Sequence, residues 1–135
     1  AHMTDQEFST FMQASVLAGM AIAYTGTSIP HGLSYNLTYE NGVPHGKAVG
    51  VFLSGFLKKY GDSTEVEYVV KQLLGFDDID TFRDYIRTLF GKLDMSEKLW
   101  KKDRDGILAN PAKLKNYPFE LTADMLDDYV RYYNA

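Results

Sequence analysis

The sequence predicts an all-α fold, a single helical bundle of about six or seven helices. Three observations predict it. Apolar residues recur at helical spacing in nearly every segment, short breaks rich in Gly, Asn or Pro separate the segments, and no alternation of apolar and polar residues indicates strands. The chain has 135 residues, of which 45% are hydrophobic, and this is enough for one domain with its own core.

The first two predicted helices are separated by a break at Thr25–Ser28. The first covers about Thr4–Tyr24 and carries apolar residues that we expect to lie in the core. Ser28 suits the N-cap of the second helix, which covers Ile29–Asn41 and stops at Gly42.

The next two helices lie on either side of Gly61. The third covers Pro44–Tyr60, with apolar residues at helical spacing, and ends at this glycine. The segment Asp62–Glu65 resembles a capping box, so it predicts the start of a fourth helix, which ends at Gly75.

Three further helices complete the predicted bundle. The fifth covers roughly Asp78–Phe90 and is followed by Gly91. The sixth begins at the capping segment Asp94–Glu97 and is interrupted by Asn110–Pro111, because the residue before a proline is disfavoured in the helical region. The last helix covers about Thr122–Tyr133, with the threonine as its cap.

Composition excludes several classes of function. A net charge of −4 and a pI near 5.3 argue against nucleic acid or an anionic membrane as a partner. The absence of cysteine excludes disulfides, thiolate-bound zinc and iron–sulfur centres, and it fits a cytoplasmic protein. The longest apolar stretch, Ala14–Ala23, is too short to span a bilayer. Residues 1–3 resemble a cloning remnant, which leaves 4–135 as the expected domain.

A hydrophobic-Pro-His-Gly tetrapeptide occurs twice, and it places His31 and His45 fourteen residues apart. Proline is favoured in the first turn of a helix, so each tetrapeptide predicts an imidazole at a helix start. The positive end of the helix dipole disfavours a protonated ring, which leaves it neutral and able to bind a metal. A capping or packing role is the alternative for each histidine. A stable metal site needs at least three protein ligands, and the chain offers only Tyr35, Glu40 and Asp62 as nearby oxygen donors, so the predicted site is incomplete.

Several segments together resemble the iron-containing alcohol dehydrogenase family, whose helical domain is of the dehydroquinate synthase-like type. They are Ala14–Ala23, Gly26, His31–Tyr35, Gly42–Val49 and the later Ala109–Pro111. The resemblance covers nearly all of the chain, and residues 14–50 are its most specific part. It implies that the chain is the C-terminal portion of a dehydrogenase that transfers hydride between NAD(P) and an alcohol or carbonyl compound.

The resemblance also implies a set of metal ligands and shows which parts of the family's enzymes this sequence lacks. In the family one Asp and three His hold Fe(II) or Zn, and His31 and His45 match the last two ligands. The upstream Asp-x-x-x-His motif and the glycine-rich nucleotide-binding half are absent from this sequence. The chain should therefore be inactive alone, with NAD(P) bound only by the full-length enzyme. Its expected partner is the missing nucleotide-binding half or subunit, and a homo-oligomer is the other expectation.

Two residues are candidates for the substrate pocket, Tyr35 and Phe52, with a surface or core role as the alternative for each. Many family members carry a further His at the position of Tyr35, so a proton relay there is in doubt. Two other functions stay open. The first is a dehydroquinate synthase-like enzyme, whose helical domain shares a His-Gly-x-Ala-Val element with this chain, although the position of Lys47 is usually Glu there. The second is a stand-alone helical module without catalytic function, which would keep only the fold.

Overall fold

The computed structural model describes residues 2–135, so the predicted cloning remnant at residues 1–3 lies partly outside the described residues. Within this range every regular element is helical and no strand occurs, which confirms the all-α prediction. The elements in chain order are α1 (Asp5–Thr25), α2 (Ile29–Asn41), α3 (His45–Lys58), α4 (Ser63–Glu67), a π-helical segment (Tyr68–Leu73), α5 (Ile79–Phe90), α6 (Glu97–Leu108), α7 (Pro111–Leu114) and α8 (Ala123–Asn134).

Side-chain caps begin most of these helices where the sequence predicts them. The hydroxyl of Thr122 and the carboxylates of Asp62 and Asp78 accept hydrogen bonds from backbone N–H groups of the following first turn. Ser28 occupies the N-cap position of α2 as predicted, but its hydroxyl makes no capping bond. Pro44 is the N-cap residue of α3 rather than its first helical residue.

Helix α3 lies at the centre of the bundle and packs against α2, α5 and α8. Its buried residues include Phe52 and Gly55, and the core is completed by large side chains of α8 such as Tyr129 and Tyr133. The Tyr133 hydroxyl donates to the carbonyl of Gly91 at 2.7 Å, so this buried phenol is satisfied. Helix α6 closes the bundle by packing against α2 and α8.

The predicted fourth helix is not a single α-helix. It begins at its Asp62 cap but continues after Glu67 as the π-helical segment, where Leu74 N–H donates to the Val69 carbonyl at 2.9 Å. The extra residue in this turn rotates the following side chains around the helix axis. Within this segment Val70 is buried, whereas Leu73 is 62% exposed.

The prediction that the apolar residues of α1 lie in the core is wrong. No residue of this helix is buried, and its large apolar side chains are exposed: Phe8, Phe11, Met12, Val16, Leu17, Met20 and Ile22. The reason is that no other described helix packs along α1. Its C-terminal end is tied to the bundle by Asn116, whose amide donates to the Thr25 carbonyl at 2.7 Å. None of the described helices has the length and apolarity needed to cross a bilayer.

Candidate metal centre

The loop between α2 and α3 brings the two histidines together. His31 and Asn41 are ten positions apart in α2, which corresponds to about 15 Å along the helix axis. The turn at Gly42, whose φ of 66° is left-handed, then returns the chain along α2. As a result, His45 at the start of α3 lies beside Ser34 of α2 rather than beside the end of that helix. Both histidines occupy the opening turn of a helix.

The imidazole rings of His31 and His45 lie edge to face, with their centroids 5.5 Å apart and their planes at 61°. The Ser34 hydroxyl donates its proton to the His31 carbonyl at 2.7 Å, and its oxygen lies 3.4 Å from Nδ1 of His45. Because that proton is already used, Ser34 can only accept from an N–H at Nδ1. This contact favours the tautomer of His45 whose lone pair is on Nε2, where a metal can bind it.

The two histidines differ in environment. His31 is half-buried and His45 is exposed. Burial lowers the pKa of His31, and the nearby His45 and the positive charge of Lys113 lower it further. The neutral ring that metal binding requires is therefore favoured at His31, as the sequence predicts, and burial is the largest of the causes that lower its pKa.

The glycines that follow the histidines have different roles. A Cβ added at Gly32 would lie 2.2 Å from Cδ1 of Ile107, so this glycine lets α6 approach α2 closely. A Cβ added at Gly46 would meet nothing within 4 Å. Close helix packing therefore explains the first glycine, and the second leaves open space beside His45.

No third metal ligand accompanies the pair. Among residues 2–135 no group of three or more His, Asp or Glu side chains is placed to hold a metal ion. Glu40 pairs with Lys102, and Asp62 caps α4. The donor chemistry of two neighbouring imidazoles fits Fe(II) or Zn(II), but two imidazoles are fewer than the three protein ligands that a stable site needs.

Tyr35 lies at the same place, next to residues that sequence analysis missed. Its ring stacks on that of His45 at a centroid distance of 6.0 Å, and its hydroxyl lies 2.9 Å from Nζ of Lys113. The Lys113 ammonium also donates to the hydroxyl of Thr27. The hydrogen bond from Lys113 is the largest cause that lowers the pKa of Tyr35. No local pattern connects Lys113 with Tyr35, since they lie 78 residues apart.

Phe52 is placed differently from the other candidate residues. It is 1% exposed and stacks on Trp100 at a centroid distance of 6.1 Å. It lies two helical turns beyond His45, which corresponds to about 10 Å along the axis of α3. The structure thus brings together His31, His45 and Tyr35 and places Phe52 in the core.

The sequence matches the family model for the C-terminal region of the Fe-containing alcohol dehydrogenase family over residues 2–105. The chain therefore belongs to the iron-containing alcohol dehydrogenase family. It is also similar to the crystal structure of an iron-containing alcohol dehydrogenase from Thermotoga maritima, with 31% sequence identity and a TM-score of 0.73. That similarity covers 90% of this chain and 33% of the Thermotoga chain, so this chain spans about a third of the length of that enzyme. No curated protein sequence matches the chain.

Proposed function

We propose that the chain is the C-terminal metal-binding domain of an NAD(P)-dependent, metal-containing alcohol dehydrogenase, in which His31 and His45 supply two of four metal ligands. The observation that carries the proposal is the 5.5 Å separation of the two rings at neighbouring helix starts. The family to which the chain belongs supports the reaction class. The reaction would be hydride transfer between the nicotinamide and an alcohol or carbonyl compound.

The metal in this proposal is Fe(II) or Zn(II), and when bound it supplies a Lewis acid that polarises the alcohol oxygen. The chain's own contribution is to hold two imidazoles in place. Ser34 orients the ring of His45 through its hydroxyl oxygen, and burial keeps the pKa of His31 low. The remaining two ligands belong to a segment outside the described chain.

The proposed partner is a nucleotide-binding half or subunit that also covers α1. Phe8 and Leu17 are nine residues apart, which places them on opposite sides of this helix. Both are exposed, at 59% and 66%. A helix that is apolar on every side is normally enclosed by other helices, and a single second copy of α1 would cover only one side. We therefore propose that the missing part of the enzyme encloses α1, in preference to a homodimer of this chain. The proposed location of the enzyme is the cytoplasm.

Calorimetry with Zn(II) tests the metal site in the chain alone. We expect binding weaker than micromolar, because two imidazoles do not complete a stable zinc site, and we expect no NAD(P)H formation. His31→Ala and His45→Ala should each abolish the binding, and His2→Ala is the matched control that should leave it unchanged. A submicromolar affinity in a monomer would show that the ligand set is complete without any other segment.

The complete function is tested in a fusion of this chain to the two thirds of the Thermotoga maritima enzyme outside the matched region. We expect metal-dependent NAD(P)H formation with alcohols in the fusion and its loss in the His45→Ala variant. A folded, metal-loaded fusion that forms no NAD(P)H with any alcohol would contradict the proposed function.

A further inference from the structure

Lys113 is held beside the histidine pair by contacts from separate elements. It lies in α7, and its ammonium donates to Thr27 in the loop before α2 and to Tyr35 within α2. Its Nζ also lies 4.9 Å from the centre of the Tyr35 ring, within the range of a cation–π interaction. These contacts fix the position of a half-buried cation, even though a lysine side chain is flexible by itself.

The charge of this ammonium has no acidic partner. A lysine ammonium has three donors, and here two of them go to neutral hydroxyl groups. Ten ion pairs occur among residues 2–135, and none of them includes Lys113. Lysine is rarely withdrawn from water without a counter-charge, so a half-buried, fixed and unpaired ammonium indicates a place for an anion.

The unpaired charge lies where a substrate of the proposed enzyme would react. Tyr35 contacts both residues: its hydroxyl lies 2.9 Å from Nζ of Lys113, and its ring stacks on that of His45. The charge of Lys113 is also one of the causes that lower the pKa of His31, after burial and His45. A bound anion at Lys113 would thus lie next to the imidazole pair, whereas the chain as a whole, at −4, repels anions.

We propose that Lys113 selects substrates that carry an anionic group, a carboxylate or a phosphate, next to the hydroxyl or carbonyl group that reacts. This inference rests on the proposed function, because it names the substrate class of that site. The third donor of the ammonium forms a charge-assisted hydrogen bond with the anionic group. Tyr35 and Thr27 act as positioning residues, since they hold the ammonium through its other two donors. A phosphate of the nicotinamide dinucleotide is the other source of an anion, and the kinetic experiment below separates the two.

Binding to the isolated chain is measured by ¹H–¹⁵N NMR with glycolate and with its neutral counterpart ethylene glycol. We expect glycolate to shift the backbone amide signals of Thr27, Tyr35 and Lys113, and we expect ethylene glycol to leave them unchanged. Lys113→Met should remove the glycolate shifts, and Lys113→Arg should keep them because it retains the charge. Lys92→Met is the matched control for the loss of one surface charge. Equal shifts with ethylene glycol, shifts that persist in Lys113→Met, or no shifts with glycolate would overturn the inference.

Kinetics in the fusion with the Thermotoga segment distinguish this inference from the proposed function. We expect Lys113→Met to lower kcat/KM for a hydroxycarboxylate by roughly 10- to 100-fold more than kcat/KM for 1-propanol, since any effect of the lost charge on His31 acts on both substrates alike. If the fusion oxidises 1-propanol and the hydroxycarboxylate equally well and Lys113→Met changes neither, the inference fails while the proposed function stands. If Lys113→Met raises KM for NAD(P) instead, the anion is the phosphate of the dinucleotide and the substrate assignment is wrong.

Discussion

Asp103 is a carboxyl group enclosed in the interface between α6 and α2. It is 3% exposed, one of its oxygens accepts from the Asn36 side chain, and the other has no hydrogen-bond partner. Burial raises the pKa of Asp103 to about 6, the bond from Asn36 opposes that rise, and the negative charge of Glu40 adds to it. This residue therefore disfavours the folded state when it is ionised.

The pH dependence of stability should reveal this cost. The pKa of Asp103 is higher in the folded state than in the unfolded state. The stability that the protonated carboxyl group contributes is therefore fully present below about pH 4 and is lost as the pH rises through about 6. The loss amounts to about 3 kcal/mol of unfolding free energy. Asp103→Asn should not show this pH-dependent loss. We therefore expect the variant to gain that amount of unfolding free energy relative to the parent as the pH rises from acidic to neutral.

Chemical denaturation at a series of pH values measures the effect of Asp103. Asp105→Asn is the matched control, since it removes one charge from the exposed side of the same helix. A difference between Asp103→Asn and the parent that stays constant with pH would show that the pKa of this carboxyl group is the same in the folded and unfolded states.

The histidine pair could be predicted from the sequence, but the cation beside it could not. His31 and His45 stand in the same local pattern at two helix starts, so each was recognisable from its neighbours. Lys113 reaches Tyr35 only because α7 folds against the start of α2. Contacts between distant segments depend on how helices pack, and the local sequence pattern does not contain that information.

At the scale of elements, α3 and α8 approach each other closely at Gly55. A Cβ added at Gly55 would lie 2.6 Å from Cα and 2.9 Å from the carbonyl oxygen of Tyr129, and both are backbone atoms that a change of rotamer cannot move. The two helices therefore need a residue without a side chain at this position. Close packing here is what allows Tyr129 to be 1% exposed.

Replacing Gly55 by alanine should destabilise the bundle by forcing α3 and α8 apart. We expect a loss of about 1–3 kcal/mol in unfolding free energy, which is typical of overpacking in a core. Gly106→Ala in α6 is the matched control, because its added Cβ would meet nothing within 4 Å. That control should gain about 0.5–1 kcal/mol through helix propensity. Equal effects of the two substitutions, measured by urea denaturation, would contradict the close contact.

Helix starts and stops could be predicted to within a few residues because caps and glycines act locally. Asp62 and Thr122 cap the helices that the sequence assigned to them, and Asp78, predicted as the start of the fifth helix, is its N-cap. The π-helical segment could not be predicted, since an apolar run such as that around Val70 fits an α-helical period equally well. Whether the turn is α-helical or π-helical depends on the surface against which it packs.

At the scale of the whole molecule, α1 differs from the rest of the bundle because its large apolar side chains are exposed. Apolar periodicity correctly predicted that this segment is a helix, but it could not show what covers it. The helix is attached to the bundle near its C-terminal end, and its large apolar side chains are exposed. An exposed apolar surface of this kind marks an interaction site or causes self-association.

The double substitution Phe8→Gln and Leu17→Gln should have different effects in the isolated chain and in the fusion with the Thermotoga segment. In the isolated chain both side chains are more than half exposed, so we expect the unfolding free energy to change by no more than about 0.5 kcal/mol. Self-association measured by light scattering should decrease. Leu126→Ala, at a fully buried position, is the control and should cost about 2–5 kcal/mol.

In the fusion with the Thermotoga segment the same double substitution should be costly, because the added helices would now enclose both sides of α1. We expect a loss of at least about 2 kcal/mol, the amount associated with removing large apolar side chains from a core, together with a loss of metal-dependent activity. A fusion that tolerates both polar side chains without loss would show that α1 remains exposed in the complete enzyme. A large loss in the isolated chain would show instead that α1 packs within this chain, and the surface assigned to the nucleotide-binding partner would then be absent.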